Sequence, residues 1–152
     1  EYTIAAPSLT AWHHIAISIS KSGFDGAPTT YKPSWWVDGV AIAAGSVTIV
    51  GTPSGTAAIG TQIMTLGNRE TNDRTWNGNL AEMCYSDAAL VTADIVNIMN
   101  WGCLSVTNAI GYWPLGRFGG TNFTNTAGLG GAMTAVTLDT VKAPLMLKGP
   151  GL

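Results

Sequence analysis

The chain has 152 residues, which suits one domain with a sizeable core. Charged residues make up only 11% of it, whereas an ordinary soluble domain has roughly 25%. The formal net charge of -2, the lack of a basic cluster and the shortness of every apolar run argue against a nucleic-acid partner and against a membrane span.

The first clear element is the stretch WHHIAISIS, Trp12 to Ser20. Its two alternating sets are His13, Ile15, Ile17 and Ile19 on one face and His14, Ala16, Ser18 and Ser20 on the other. Alternation with a period of two predicts a half-buried strand. The Gly, Asp, Pro and Thr residues of KSGFDGAPTT, residues 21–30, then predict a loop.

A hairpin is predicted next, in SWWVDGVAI. Asp38-Gly39 lies between two short apolar runs, and glycine tolerates the positive φ that a two-residue hairpin turn requires. Trp35 and Trp36 are neighbours in one of these runs, so they should point to opposite faces, with one of them in the core.

Further strands are predicted at 46–50, 61–66 and 79–86, and the polar residues 67–78 connect the last two. In the last strand Leu80, Glu82 and Cys84 alternate with Ala81, Met83 and Tyr85. The segments AIGYWPL and GAMTAVTLDTV, which begin at residues 109 and 131, also read as strands.

Helical spacing is found near residues 92–101. Thr92 is the expected cap, Asp94 suits the first turn, and Gly102 ends the helix. Ile95, Ile98 and Met99 would line one side. Many short strands with one short helix predict an all-β fold, an antiparallel β-sandwich, as a domain over residues 1–141 followed by an extended tail, 142–152.

The motifs WHHIAIS, WWVDGVAI, LGNR and WNGNLAEMCYSDAALVTADI occur in the order found in laminin-G-like domains of the concanavalin A-like lectin/glucanase superfamily. The resemblance covers about Ala11 to Leu115. The pattern positions of the last motif are Trp76, Gly78, Leu80, Glu82, Met83, Tyr85, Ala89 and Leu90. The following GYWPLGRFGGTNFTN and PLMLKGPGL resemble the C-terminal extensions of such proteins from bacteriophages.

This resemblance implies a jelly roll of two antiparallel sheets, a fold shared by lectins, adhesion modules, glycoside hydrolases and virion proteins, so the fold alone selects no function. The sequence departs from the family in two ways. Ala81 stands where many relatives have Asp, and the strands that usually precede the Trp-His-His strand are either missing or upstream of Glu1.

The two histidines invite a metal or acid-base interpretation. Parity separates His13 from His14, so one ion cannot take both rings without a bulge, and no third ligand is indicated. We interpret His13 as a structural ring bonded to a backbone carbonyl and His14 as a side chain of the outer or groove face. The other residues interpreted as structural are Trp36, Asp38, Gly39, Gly78 and Glu82.

Glycoside hydrolysis needs a pair of carboxyl groups, and a retaining enzyme places them roughly 5 Å apart. Glu82 is the candidate acid, but Cys84 and Ser86 occupy the next positions on its predicted face, and Asp87 has the wrong parity. The sequence therefore predicts no catalytic residue, and Glu82 is expected to bond backbone or loop groups.

Ligand binding is predicted instead in the polar loop, where ETNDRTWN combines an aromatic ring with amides and a carboxylate. The candidate ligand-binding residues are Asn68, Asn72, Asp73, Trp76 and Asn77. Trp76 has an alternative interpretation as a core plug. Asp73 is a weak candidate for calcium, further weakened by Ala81, and no cofactor is indicated.

Two features favour assembly: the low charge, and a sheet that lacks strands and so exposes unpaired amides and carbonyls. The sequence favours a non-catalytic, exposed virion protein of a phage, in a capsid-decoration or tail position, with other subunits as partners and glycan or host-surface contact. A secreted lectin or adhesin is the alternative, and a glycoside hydrolase is the third. Cys84 and Cys103 either form one disulfide or remain two buried thiols.

Overall fold

The computed structural model describes residues 1–8, 10–53 and 82–113. These ranges form mostly short strands in small antiparallel sheets, with few helices. The strands are β1 (Tyr2–Thr3), β2 (Ile15–Ser18), β3 (Ser34–Val37), β4 (Val40–Ile42), β5 (Thr48–Ile49), β6 (Met83–Ser86) and β7 (Ala109–Trp113). The α-helices are α1 (Lys21–Gly26) and α2 (Thr92–Trp101).

The chain divides into two compact units. The hairpin unit comprises Glu1–Ile59 with Ala88–Gly102, and the disulfide unit comprises Gly60–Asp87 with Cys103–Leu152. Within the described ranges, β1 to β5 and both α-helices belong to the first unit, and β6 and β7 belong to the second. None of the helices in these ranges is long and apolar enough to cross a membrane.

The predicted hairpin is confirmed. β3 and β4 pair antiparallel, with Val37 opposite Val40, so Asp38 and Gly39 alone form the turn. Their φ angles are 52° and 78°, which are the two positive values of a type I′ turn. A two-residue turn fixes the register of both strands, and β2 extends the sheet by pairing with β3.

The two faces of the three-stranded sheet differ in composition. The register places Ile15, Ile17, Trp35, Val37, Val40 and Ile42 on one face, which we call the apolar face. Trp36 lies on the other face with small residues, and only 6% of it is exposed. Trp35 and Trp36 therefore point to opposite faces, as predicted.

The isoleucines of β2, and Ile19 just after it, are less buried than the sequence pattern suggests. Ile17 is 50% exposed, and Ile15 and Ile19 are exposed as well. The covered face is the one that carries Ala16 and Ser18, because Trp36 and the start of α2 lie there.

Helix α1 corrects two expectations, the loop over residues 21–30 and the single short helix. Ser20 caps α1, since its hydroxyl accepts from the Gly23 amide at 3.0 Å, and Lys21 forms an ion pair with Asp25 one turn later. Gly23 is required because a Cβ there would lie 2.7 Å from the Tyr31 ring. Residues typical of turns thus form a short helix once a cap and a ring hold them.

Helix α2 begins and ends as predicted, at Thr92 and Trp101, with Asp94 in its first turn. Gly102 follows at φ 90°, which suits glycine. The predicted cap is wrong, because Val91 is the N-cap residue and Asp94 accepts from its amide at 3.1 Å. Thr92 instead accepts a hydrogen bond from Trp36 Nε1, also at 3.1 Å.

A small sheet joins the first residues of the hairpin unit to residues 48–50. β1 pairs with β5, and the Glu1 amino group donates to the Val50 carbonyl at 3.0 Å. The strand predicted over 46–50 is shorter in the structure, because residues Ala44–Ser46 form a 3-10 turn before β5. Val47 follows this turn and is only 1% exposed.

In the described part of the disulfide unit β6 pairs with β7, so the strand predicted at AIGYWPL is confirmed over residues 109–113. Cys84 and Cys103 form a disulfide with 5.4 Å between their Cα atoms, which resolves the two alternatives left by the sequence. Tyr112 and Trp113 are buried beside this link. Gly111 is required, because a Cβ there would lie 2.5 Å from the Trp113 ring.

Candidate functional site

The histidine pair lies at the tip of the hairpin, and Asp38 organises it. One Asp38 oxygen lies 2.7 Å from His13 Nδ1, and the other accepts from the His14 amide at 2.9 Å. The Asp38 amide in turn donates to the His14 carbonyl at 2.8 Å. One turn residue thus holds the start of β2 through three bonds. The expectation that His13 bonds a backbone carbonyl is wrong, because the carboxylate takes its ring nitrogen.

This cluster shifts the pKa values of two side chains, Asp38 and His14. The hydrogen bond from His13, and then that from the His14 amide, lower the pKa of Asp38. Burial lowers the pKa of the His14 ring, and the nearby Asp38 charge opposes that effect in part. Both shifts favour a charged Asp38 beside a neutral His14.

The geometry of the cluster indicates a structural role, in which Asp38 holds the segment that leads into β2. A carboxylate on one nitrogen of His13 is the arrangement that orients a catalytic or metal-binding ring. His13 Nε2 is buried, however, and has no hydrogen-bond partner among the described residues. Within residues 1–8, 10–53 and 82–113, no three His, Cys, Asp or Glu side chains gather where they could hold a metal ion.

A groove of about 430 Å³ lies in the hairpin unit, between the Trp36 face of the sheet and the segment that leads into α2. We call it the hydroxyl groove, after its five hydroxyl side chains. It is lined by Ser18, Ser20, Tyr31, Lys32, Ser34, Trp36, Ala89, Leu90, Val91 and Thr92. Its size falls within the range of small-ligand sites.

Sequence and register position these side chains. Ser18 and Ser34 are opposite each other in the β2–β3 pair and lie on the same face as Trp36. The Tyr31 hydroxyl accepts from the Ser20 amide at 2.5 Å, which holds the loop before β3 against the end of β2. Lys32 follows and donates to the Ala44 carbonyl at 3.0 Å.

The predicted ligand-binding residues lie outside the described residues. These are Asn68, Asn72, Asp73, Trp76 and Asn77, and the structural Gly78 is also outside them. The loop and its calcium candidate therefore stay predictions.

Glu82 departs from its predicted strand position. β6 begins at Met83, and Glu82 precedes it with a φ of 56°, in the left-handed region. The alternation assumed for Glu82 and Cys84 therefore does not hold through a continuous strand. Met83 and Tyr85 remain within β6, as predicted.

The hydroxyl groove was missed by sequence reasoning. Parity does place Ser18 and Ser34 on the side of their strands that faces away from the isoleucines and Trp35. The contact that closes the groove joins Trp36 to Thr92, 56 residues apart, and no local pattern marks such a pair.

Comparisons of the chain with models of protein families, with curated proteins and with solved structures find no match.

Proposed function

We propose that this chain is a non-catalytic binding module, an exposed subunit of a bacteriophage particle in a capsid-decoration or tail-associated position. The hydroxyl groove is the observation that carries the binding role. In this proposal the module is a laminin-G-like jelly roll that holds the groove and the polar loop outward, toward a glycan or another host-surface group.

A glycan is the ligand class that best suits this groove. Sugars present many hydroxyl groups, and the lining offers Ser18, Ser34, Tyr31 and Thr92 as partners that can donate and accept. Trp36 lines the groove but is nearly buried, so it offers little ring surface for stacking.

The apolar face of the sheet supports the role as a subunit. Val40 is 67% exposed, and Ile15 and Ile17 are exposed on the same face. Free soluble proteins rarely leave a large contiguous apolar surface in water, and such surfaces mark interfaces. Only 11% of the residues are charged, so electrostatic repulsion between copies of the protein is weak.

The disulfide supports a location outside the reducing cytosol. Disulfides persist on virion surfaces and in secreted proteins. The Cys84–Cys103 link therefore fits an exposed virion protein, and it equally fits the alternative, a secreted lectin or adhesin.

Glycan binding is tested by screening the full chain on a glycan array, with Ser34→Phe to block the groove. Ser46→Phe is the matched control, because Ser46 is also exposed but lies in the 3-10 turn outside the groove. We expect Ser34→Phe to lose the glycans that the natural chain and Ser46→Phe retain. Binding that survives in Ser34→Phe would remove the groove from the proposal, and an empty array would remove glycans altogether.

The subunit role is tested by sedimentation velocity over a range of concentrations. We expect the natural chain to associate, and Ile17→Lys to weaken that association more than Thr48→Lys, an exposed change on β5. A sugar-binding chain that stays monomeric throughout would favour the secreted lectin over the virion subunit.

A further inference from the structure

Part of the acceptor capacity of the hydroxyl groove is already used by the protein. The Tyr31 oxygen already accepts from the Ser20 amide, and the Thr92 oxygen already accepts from Trp36 Nε1. A hydroxyl group that accepts from the protein still has its own proton to donate. Tyr31 and Thr92 therefore present donors to whatever occupies the groove.

Lys32 adds a positive charge to these donors. Its ammonium group has three N–H donors, and one of them goes to the Ala44 carbonyl. Two remain for a ligand. The side chain is half-buried, so its charge is less screened than that of a fully exposed lysine.

No acidic residue stands among the described side chains that line the groove. The acids nearest to the lining in sequence are Asp38, Asp87 and Asp94, each two positions from a lining residue. Asp38 bonds His13, and Asp87 belongs to the disulfide unit. Asp94 accepts from the Val91 amide. The lining thus combines one ammonium group with hydroxyl donors and carries a positive charge.

We infer that the hydroxyl groove selects an acidic saccharide, a sugar unit that bears a carboxylate such as a uronic or sialic acid. This inference rests on the proposed glycan-binding role. Lys32 is the counter-ion of the carboxylate, and the hydroxyl groups of Tyr31 and Thr92 donate to its oxygens. Ser18 and Ser34 can donate and accept, so they suit the hydroxyl groups of the same sugar.

The chemistry favours a charged ligand over a neutral one. Hydrogen bonds that involve an ionised group are roughly twice as strong as those between neutral groups. A neutral sugar would leave the ammonium group without a counter-ion. We expect the acidic form of a ligand to bind about tenfold more tightly than a neutral form of the same length.

The experiment compares oligogalacturonate with its fully methyl-esterified form by isothermal titration calorimetry on the full chain. Esterification removes the charge and keeps the sugar. We expect the natural chain to prefer the acid by about tenfold, and Lys32→Gln to lose that preference. The control is Lys21→Gln, which removes an exposed lysine of α1 that does not line the groove. This variant should keep the preference for the acid.

Two further measurements keep the inference testable if Lys32→Gln disturbs the fold. Tyr31→Phe keeps the ring but removes the O–H donor together with the oxygen that accepts from the Ser20 amide. It should weaken binding of the acid more than binding of the ester. Raising the salt concentration should weaken binding of the acid and leave the ester unchanged, because only the acid binds through charge.

The outcomes separate this inference from the proposed function. Equal binding of acid and ester would overturn acid selection and leave glycan binding in place. Failure to bind either form, together with an empty glycan array, would overturn both. A preference for sulfated or phosphorylated oligosaccharides of equal length over the carboxylated one would overturn the carboxylate assignment.

Discussion

The hairpin unit and the disulfide unit keep their strands in register by different means. In the hairpin unit, turn geometry and side-chain hydrogen bonds do this, with Asp38 bonded to both His13 and His14 and with Ser20 capping α1. In the disulfide unit, a covalent bond between residues 19 positions apart accompanies the β6–β7 pair.

The difference shows which interactions can be recognised from a short stretch of sequence. A two-residue turn and a cap require particular residue types at particular spacings, so their signal is in the sequence. A disulfide requires only that two cysteines meet in space, and spacing says little about that. The two units should therefore respond differently to substitution, to reduction and to pH.

The largest effect is expected in the core of the hairpin unit. Trp36→Ala should lower the free energy of unfolding by about 3–5 kcal/mol, because it leaves a cavity and removes the partner of Thr92. Urea denaturation measured by circular dichroism checks this. Trp35→Ala is the control on the apolar face. Trp35 is half-buried, and its buried indole nitrogen has no partner among the described residues. Equal losses would contradict the assignment of the Trp36 face as the covered one.

Removal of the covalent link should have the next largest effect. Replacing Cys84 and Cys103 together by Ser should cost about 2–4 kcal/mol, because the unfolded chain regains the freedom that the link removes. Hydrogen exchange should rise in β6 and β7 more than in β2, β3 and β4. A uniform rise would show that the units open together, and a reductant should change nothing further in this variant.

A smaller effect is expected at the hairpin turn. Gly39→Ala combines a φ of 78° with a Cβ placed 3.1 Å from Val96 Cγ2, and we expect a loss of about 1–3 kcal/mol. Gly51→Ala has a φ of 81° but an open site, so it should lose less. Gly45→Ala has neither problem and should change stability within about 0.5 kcal/mol. Thermal melts of the three variants check this order, and a Gly39→Ala protein as stable as Gly45→Ala would contradict it.

The smallest effect is the pH dependence of the histidine cluster. A carboxylate with a lowered pKa contributes stability above its unfolded value, about 3.9, and that contribution disappears as the pH falls through the folded value. The lowered pKa of His14 makes the folded state resist protonation, so stability also falls as the pH drops below about 6.5. Both contributions lower the stability of the hairpin unit as the pH falls.

Melting temperatures measured between about pH 3 and pH 8 test this dependence. His14→Gln should flatten the upper part of the curve, and Asp38→Asn should flatten the lower part. Curves that run parallel to that of the natural chain would contradict the assignment.

The success of the sequence predictions followed the range of the interactions. The hairpin at Asp38-Gly39, the helix from Thr92 to Trp101 and the strand at residues 109–113 were predicted, because each depends on residues within one turn or one strand. The helix at Lys21–Gly26 was not, because its Gly, Asp and Ser residues favour turns until the Tyr31 ring packs against Gly23.

The site was less predictable than the fold. The sequence led us to interpret Asp38, Gly39 and the histidines as structural, and the structure shows that Asp38 bonds His13. The sequence did not identify Tyr31, Lys32 or Thr92 as neighbours. Each of these is an ordinary surface residue in its own segment, and only the packing of distant segments gives the three a common groove.

The sequence by itself determined the turn, the alternation of faces and the bounds of the longer helix, since these depend on backbone geometry and on the period of the side chains. Tertiary structure decided which sheet face is covered, that Cys84 meets Cys103, and that Thr92 receives Trp36 instead of capping its helix. Those outcomes depend on contacts between residues far apart along the chain, which the free energy of the whole fold selects and no local pattern encodes.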